Sequence, residues 1–370
     1  MNYVRNAGLL AAIVACSSVG QAQRSRPVAV LEPATRLEFK AATDSNSPAF
    51  WRLQEGVKQL SVFNSAGAAV LSSGIDIDQL QNVGPVTFDK TLAGGRWIEA
   101  VVSDHRGVLY GYYHNEPVGV CPDNGKTAPR IGAGRSYDGG RSWIDLGIIL
   151  EAPPDSTECE TTNHYFVGGV GDCSVMLDAD GKYLYIFFSV YVRQLEGQGV
   201  AVARLRWSDR DRPGARVAVW DDGVWRYPVR ADDGQLEYPA ARPIYAATRS
   251  WHARAAVDAF WGPAVHWNTF LERYVMLLNH ARDGEFAQEG IYLSVATALD
   301  DPRGWTPPQK IFSGGKWYPQ VIGLEPGTGT DRLAGARARL FMSGVSEHFI
   351  DFQQPGEPAI PRSSSTPESR

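Results

Sequence analysis

GDCSVMLDADGKYLYIFFS, residues 171–189, reads as two strands joined by a tight turn. Residues 173–177 form a short apolar run after a polar lead that ends in Asp172, and Asp180-Gly181 supplies a pair tolerant of positive φ. Residues 183–188 then continue as a buried, β-rich segment. Four other stretches share this grammar: NSPAFWRLQEGVKQLSVFNS from Asn46, WIEAVVSDHRGVLYGYYHNE from Trp97, WGPAVHWNTFLERYVMLLNH from Trp261 and WYPQVIGLEPGTGTDRLAGARARLFMSG from Trp317. Overlaid, they put Asn46, Trp97, Asp172, Trp261 and Trp317 at one position, where a strand begins.

Repeated hairpins of this kind predict an all-β fold, a five-bladed β-propeller over residues 44–352, because radial repetition protects strand edges. A closed sandwich with irregular hairpins is the competing architecture. In a propeller the inner strands start around a central funnel, so the aligned polar and aromatic residues converge there. Residues 23–43 form a lead-in with one edge strand, and the Pro-, Ser- and Glu-rich residues 353–370 a disordered tail. Residues 1–22 have the Arg5 n-region, apolar core and small residues of an export signal. The mature chain then starts after Ala22 and is secreted or periplasmic; the alternative is a lipoprotein anchored at Cys16, after Ile13-Val14-Ala15.

The 38 Gly, 23 Pro and 11 Trp of the 370 residues fit short strands and many turns. A net charge of −5 without a basic stripe excludes a nucleic-acid partner. No later run reaches the roughly 20 apolar residues of a membrane helix, so no transmembrane span is expected, and a monomer is. Cys121 and Cys159 lie in Pro- and Gly-rich insertions and form the expected disulfide, whereas Cys173 falls inside an inner strand and reads as a small buried hydrophobe. No Cys or His spacing forms a metal motif, so no cofactor is expected; a structural calcium on loop carboxylates stays open.

Between the hairpins, Ser136-Tyr137-Asp138-Gly139-Gly140-Arg141-Ser142-Trp143 resembles the Asp-box of sialidases and other propellers. Its use is structural: Asp and Ser satisfy turn amides, Gly takes the strained backbone, and Trp packs between strands. Asp138 is therefore not counted as catalytic. The echo Asp300-Asp301-Pro302-Arg303-Gly304-Trp305 occupies the same place in the fourth repeat. The charged insertion at residues 207–241 reads as a solvated loop.

Together, the D/W-x-P-like strand openings, hairpins such as DGKYLYIFFS and the Asp-box ending resemble the five-bladed propeller glycoside hydrolases: arabinanases, β-xylosidases and invertases. The resemblance implies a base or nucleophile Asp on the first blade, an orienting Asp on a later one and an acid Glu on another. Asp172 matches the orienting Asp, and Asp44 or Asn46 falls near the first. Trp261-Gly262-Pro263 stands where the acid Glu is expected, a departure from the pattern.

Glu99, on the inner strand of the second repeat, is a candidate replacement acid, because a buried carboxylate needs a partner or a task; Glu116 is a second. The expected catalytic set is Asp44, Glu99 and Asp172. Trp97, Trp261, Trp317 and Tyr318 offer rings to a sugar, and His114, Glu116, His266, Asn268 and Gln320 offer polar contacts. Against these roles stand turn bonding for Asp44, an Arg or amide partner for Glu99, and core packing for each Trp. Two functions follow, an exported glycoside hydrolase or a non-catalytic propeller binding a carbohydrate or protein. Two carboxyls facing one pocket favour the first, and carboxyls tied up away from the funnel the second.

Overall fold

In the computed structural model, which describes residues 28–122, 125–253 and 256–354, the quoted stretch is an antiparallel hairpin of Val170–Leu177 and Tyr183–Val190. Gly181 takes φ 66° in its turn, and the Asp178 carboxylate accepts the amides of Lys182 and Tyr183. Gly199–Arg206 and Val217–Asp221 continue this sheet, blade 3, which Val224–Arg226 and Tyr245–Ala246 extend at its outer side. Blade 1 is built from Ala49–Gln54, Val57–Ser65, Ala69–Gly74 and Gln81–Pro85. Blade 2 runs through Trp97–Ser103, Leu109–Asn115, Arg130–Ser136 and Ser142–Leu150. Blade 4 consists of Ala259–Asn268, Arg273–Ala281, Gln288–Ala296 and Gln309–Ser313. Blade 5 takes Gln320–Gly323, Arg337–Met342 and Val345–Phe352 from the end of the chain and Ala29–Glu38 from its beginning.

Five apolar clusters close these sheets into a ring, because each strand sends alternate side chains to its two neighbours. Phe50 and Phe63 of blade 1 pack on Ile98 and Trp143 of blade 2. Tyr110 and Ala133 of blade 2 meet Val175 and Ile186 of blade 3, whose other face sets Met176 and Phe187 against Met276 and Leu278 of blade 4. Val275 and Leu277 of blade 4 join Leu340 and Ile350 of blade 5, and Phe341 of blade 5 returns to Leu60 and Val62 of blade 1. The expected five-bladed propeller is the observed fold, and no sandwich forms.

Three details differ from the sequence reading. The fold does not begin at residue 44: Ala29–Glu38 pairs antiparallel with Val345–Phe352 and latches the ring, so the lead-in belongs to the propeller. The insertion at 207–241 supplies the fourth strand of blade 3, and Asp211 there accepts from Tyr110 and Arg135 of blade 2, so its charges are partly committed rather than solvated.

The third concerns register. The inner strands of blades 3 and 4 each carry a bulge, between Gly171 and Ser174 and between Trp261 and Ala264. The left-handed residue of each, Asp172 at φ 44° and Gly262 at φ 55°, stands two positions before pairing resumes, as does Tyr318, φ 57°, before Gln320. Asp172 therefore corresponds to Gly262 and Tyr318, one residue beyond the expected Trp261 and Trp317. Residues 1–22, with Cys16, and the tail from residue 355 lie outside the described residues. No helix among the described residues is long and apolar enough to cross a membrane.

Candidate functional site

The inner ends of the blades meet through backbone groups that the bulges turn toward the axis. Asn46, ahead of the first strand of blade 1, donates from Nδ2 to the carbonyls of Cys173 (3.3 Å) and Pro263 (3.2 Å), tying blades 1, 3 and 4 together. Gln320 clasps Ser47, accepting its amide at 2.5 Å and donating to its carbonyl at 2.8 Å. Both polar side chains are buried and serve the ring itself. Gln320, expected as a sugar contact, joins blade 5 to blade 1 instead.

Beside this junction Glu99, His114 and Asp172 form a buried trio, 2%, 2% and 3% exposed, with one ligand-type atom of each within 4.8 Å of the others. Glu99 sits at a bulge between Ile98 and Ala100, which turns its carboxyl onto the Cys173 amide at 2.5 Å. Burial first, and then the Asp172 charge, push the Glu99 pKa up to about 8, against the pull of His114 and the Cys173 amide. Asp172 accepts the hydroxyls of Tyr191 and of Tyr318, the latter at 3.3 Å. Burial raises its pKa too, opposed by His114 and the Tyr191 hydroxyl.

His114 links this trio to the mouth. Its Nε2 meets Glu116 Oε1 at 2.9 Å, and its Nδ1 accepts the Asp172 amide N–H at 2.9 Å, which assigns a neutral ring with the proton on Nε2. Burial alone would lower its pKa, but the hydrogen bond to Glu116 and the charges of Asp172 and Glu99 push it up to about 9. The Asp172 amide opposes that pull, because a second ring proton on Nδ1 would face an N–H. Charging the ring therefore requires the hydrogen bond from the Asp172 amide to break; with that bond in place the ring is neutral, and its pull on Glu99 and Asp172 belongs to the charged form alone.

The same contacts bear on a metal. The Cys173 amide on Glu99, the Asp172 amide on His114 Nδ1 and the tyrosines on Asp172 engage lone pairs that a cation would need. The trio is held by hydrogen bonds that a cation would have to share or displace.

Aromatic side chains roof this network. Phe166 lies 4.6 Å from Tyr191 between ring centroids, and Trp251 stacks on Phe286 at 4.4 Å. Phe166 rides on a strap tied by the disulfide Cys121–Cys159, with Cα atoms 5.6 Å apart, as the sequence predicts. His252 fastens the strap further, meeting Thr161 Oγ1 and the Tyr191 carbonyl at 2.7 Å each. Burial lowers its pKa.

What faces solvent is Asp44, Glu116, Tyr165 and part of Trp317. Asp44 is exposed on one side; desolvation on the other, and the charges of Asp172 and Glu116, push its carboxyl up to about 6. Trp97 packs edge-on against His114 at 5.7 Å, and Trp261, 2% exposed, is wedged among Phe286, Trp317 and Tyr318. Trp317 donates its Nε1 to the Phe286 carbonyl.

Asp44, Trp97, Glu99, His114, Glu116, Asp172, Trp317 and Tyr318 are thus brought to one region. His266 and Asn268 are not: they lie farther down the inner strand of blade 4, past its bulge. His266 is buried against Phe352, with its pKa lowered to about 3 by burial, and Asn268 caps the turn amides of Phe270 and Leu271. Sequence reasoning missed Tyr191, Phe166, Trp251 and Phe286, which reach the site from strand ends and loops and carry no shared spacing.

No family model and no curated protein sequence matches this chain. Among solved structures it is similar to an endo-arabinase from Bacteroides thetaiotaomicron VPI-5482, at 10% identity and TM-score 0.45, over 85% of this chain and 98% of that one. An arabinanase from Bacillus subtilis is similar at 13% identity and TM-score 0.44, over 84% and 96%. An exo-β-1,3-galactanase from Phanerochaete chrysosporium is similar at 13% identity and TM-score 0.46, over 86% and 64%. The blade count rests on the sheets themselves, and no residue role is taken from these likenesses.

Proposed function

We propose that this protein is an exported glycoside hydrolase whose chemistry lies at the funnel mouth. The observation that carries the reading is the convergence of Asp44 and Glu116, which face solvent, over the buried trio of Glu99, His114 and Asp172. Glycoside cleavage wants two carboxyls in environments that split their pKa values. Asp44, at about 6, is the group within reach of a sugar; Glu116 is its partner across the mouth. His114 connects Glu116 to Asp172, so the buried carboxyls set the charge felt above them. The rings of Tyr165 and Trp317 flank this opening and suit the apolar face of a sugar. Export is supported by the disulfide, which persists in oxidising compartments.

One observation favours the second reading, a carbohydrate-binding propeller without turnover: Glu99 and Asp172 are buried beneath the aromatic roof, where a glycosidic oxygen does not reach them. Sugar release from a panel of neutral and acidic polysaccharides separates the two. Release by the wild type, falling about a hundredfold or more in Asp44→Asn and Glu116→Gln, is the expected result. Glycan binding without release by the wild type would replace the hydrolase with the binding module.

A further inference from the structure

The contact between blades 2 and 3 leaves an open cavity of about 440 Å³. Its lining includes Val170, which begins an inner strand as Trp97 does, so it opens on the face that carries the funnel mouth. Neither Asp44 nor Glu116 lines it. Val170, Val190 and Val192 of blade 3 form the floor, 3 to 5% exposed. Pro154, after the last strand of blade 2, and Ala240, on the chain returning from the insertion, are its exposed lips.

Two arginines stand at its outer end, Arg226 and Arg242. The fold brings them together: Arg226 lies opposite Val219 in the outer hairpin, and the Arg242 amide donates to the carbonyl of the next residue, Trp220, at 2.9 Å. Arg226 gives Nε to Asp221 at 2.5 Å, and its side chain is 54% exposed, so both Nη groups remain for a ligand. Arg242 is exposed and makes no ion pair among the described residues. These donors reach solvent, and a planar guanidinium with free Nη groups suits the oxygens of a carboxylate.

The carboxylates of the rim leave this end positive. Asp221 answers one of the two arginines, and Glu151 is held by Arg130 at 2.8 Å. Glu196 sits on the turn between the second and third strands of blade 3, two strands from Arg226 and so roughly 10 Å away. The cavity is thus polarised, with a hydrocarbon floor between a cationic end and an anionic one. A sugar suits it poorly, because Phe188, the one aromatic ring in the lining, is 0% exposed and offers no face to stack on. A hydrocarbon body over the valines and prolines removes apolar surface from water, and a single negative end completes the match.

We propose that this cavity is a second binding site, for an aliphatic carboxylate whose chain lies between Pro154 and Ala240 over the valine floor and whose carboxylate is held by Arg226 and Arg242. The site is independent of the funnel and of the reading given to it.

Calorimetry on the full chain tests this with octanoate, octanol and acetate as probes. The expected result is one octanoate bound per chain, octanol bound about tenfold more weakly, and no acetate bound at about 10 mM. Arg226→Gln combined with Arg242→Gln removes the preference for octanoate and leaves octanol as it was. Both positions are exposed, and the Arg226–Asp221 pair adds little to stability, so folding is not at stake. Ala240→Trp, at the exposed lip, fills the cavity and weakens octanoate and octanol alike, by about tenfold or more. No octanoate binding at about 10 mM, or octanoate binding untouched by Ala240→Trp, overturns the proposal. Octanol bound as tightly as octanoate overturns it as well, since the arginines would then recognise nothing, and so does acetate bound as tightly, since the apolar floor would then contribute nothing.

Discussion

Asp172 keeps a left-handed backbone, φ 44°, that apart from glycine is most readily adopted by asparagine and aspartate. Asp172→Asn therefore preserves the bulge, and one hydroxyl of Tyr191 or Tyr318 can turn to accept from the new amide. What disappears is a charge that holds Glu99 protonated, so the Glu99 pKa falls below about 8. The sign follows from linkage. A carboxyl raised in the folded state binds its proton there while the unfolded chain has lost it, so its contribution is complete below about pH 4.5. That contribution is lost as pH rises to about 8, by up to about 1.4 kcal/mol per pH unit. Urea unfolding at pH 5 and pH 8 should show a smaller drop in Asp172→Asn than in the wild type. Equal drops would mean that Asp172 is not charged beside Glu99.

At the scale of elements, the strap over Tyr191 is long and has little regular structure, and its order comes from a few ties. Thr127 exchanges backbone hydrogen bonds with Tyr165 and Val167, and Asn163 accepts the amides of Tyr165 and Phe166. The disulfide closes a 38-residue separation, which in the chain-entropy account is worth ~3 to 4 kcal/mol. Cys121→Ser with Cys159→Ser should lower stability by about that amount. Amide exchange should rise first at residues 156–167 and at Tyr191, while blades 4 and 5 keep their protection. Uniform loosening of all five blades would show that the bond braces the ring rather than the strap.

For the whole molecule, closure depends on a strand from one end of the chain covering the edge of the last strand from the other. Arg36 pairs with Glu38 and Glu347 at this seam, but all three side chains are about half exposed, so Arg36→Ala should cost under ~1 kcal/mol. Removal of the chain up to Lys40 is different in kind. It uncovers the edge of Val345–Phe352 and strips Phe39 from its 4.5 Å stack on Phe341 between blades 5 and 1. Thermal unfolding and size-exclusion chromatography should show a loss of several kcal/mol and association through the open edge. An unaltered monomer after that truncation would place the latch elsewhere.

The hairpins were legible because a strand buried on one or both faces needs apolar residues at short range, and a tight turn needs Gly beside Asp or Asn. Gly171–Ser189 carries both requirements within itself, and five such stretches point to a ring while leaving a closed sandwich as its competitor. Asp172, Glu99 and Glu116 were legible for a related reason: a carboxyl in an otherwise apolar strand, or at its end, stands out against its neighbours. The register of the inner strands was not, because a bulge adds one residue without a residue type that announces it: Asp, Gly and Tyr all take the left-handed position. His266 and Asn268 share their strand with the site, and only the direction of that strand past its bulge takes them away from it. The aromatic roof was hidden for a different reason. Contacts between Phe166 and Tyr191, or between Arg52 and Gly139, join residues from different elements and blades, and such proximity is set by how the blades are arranged around the axis, which no local pattern encodes.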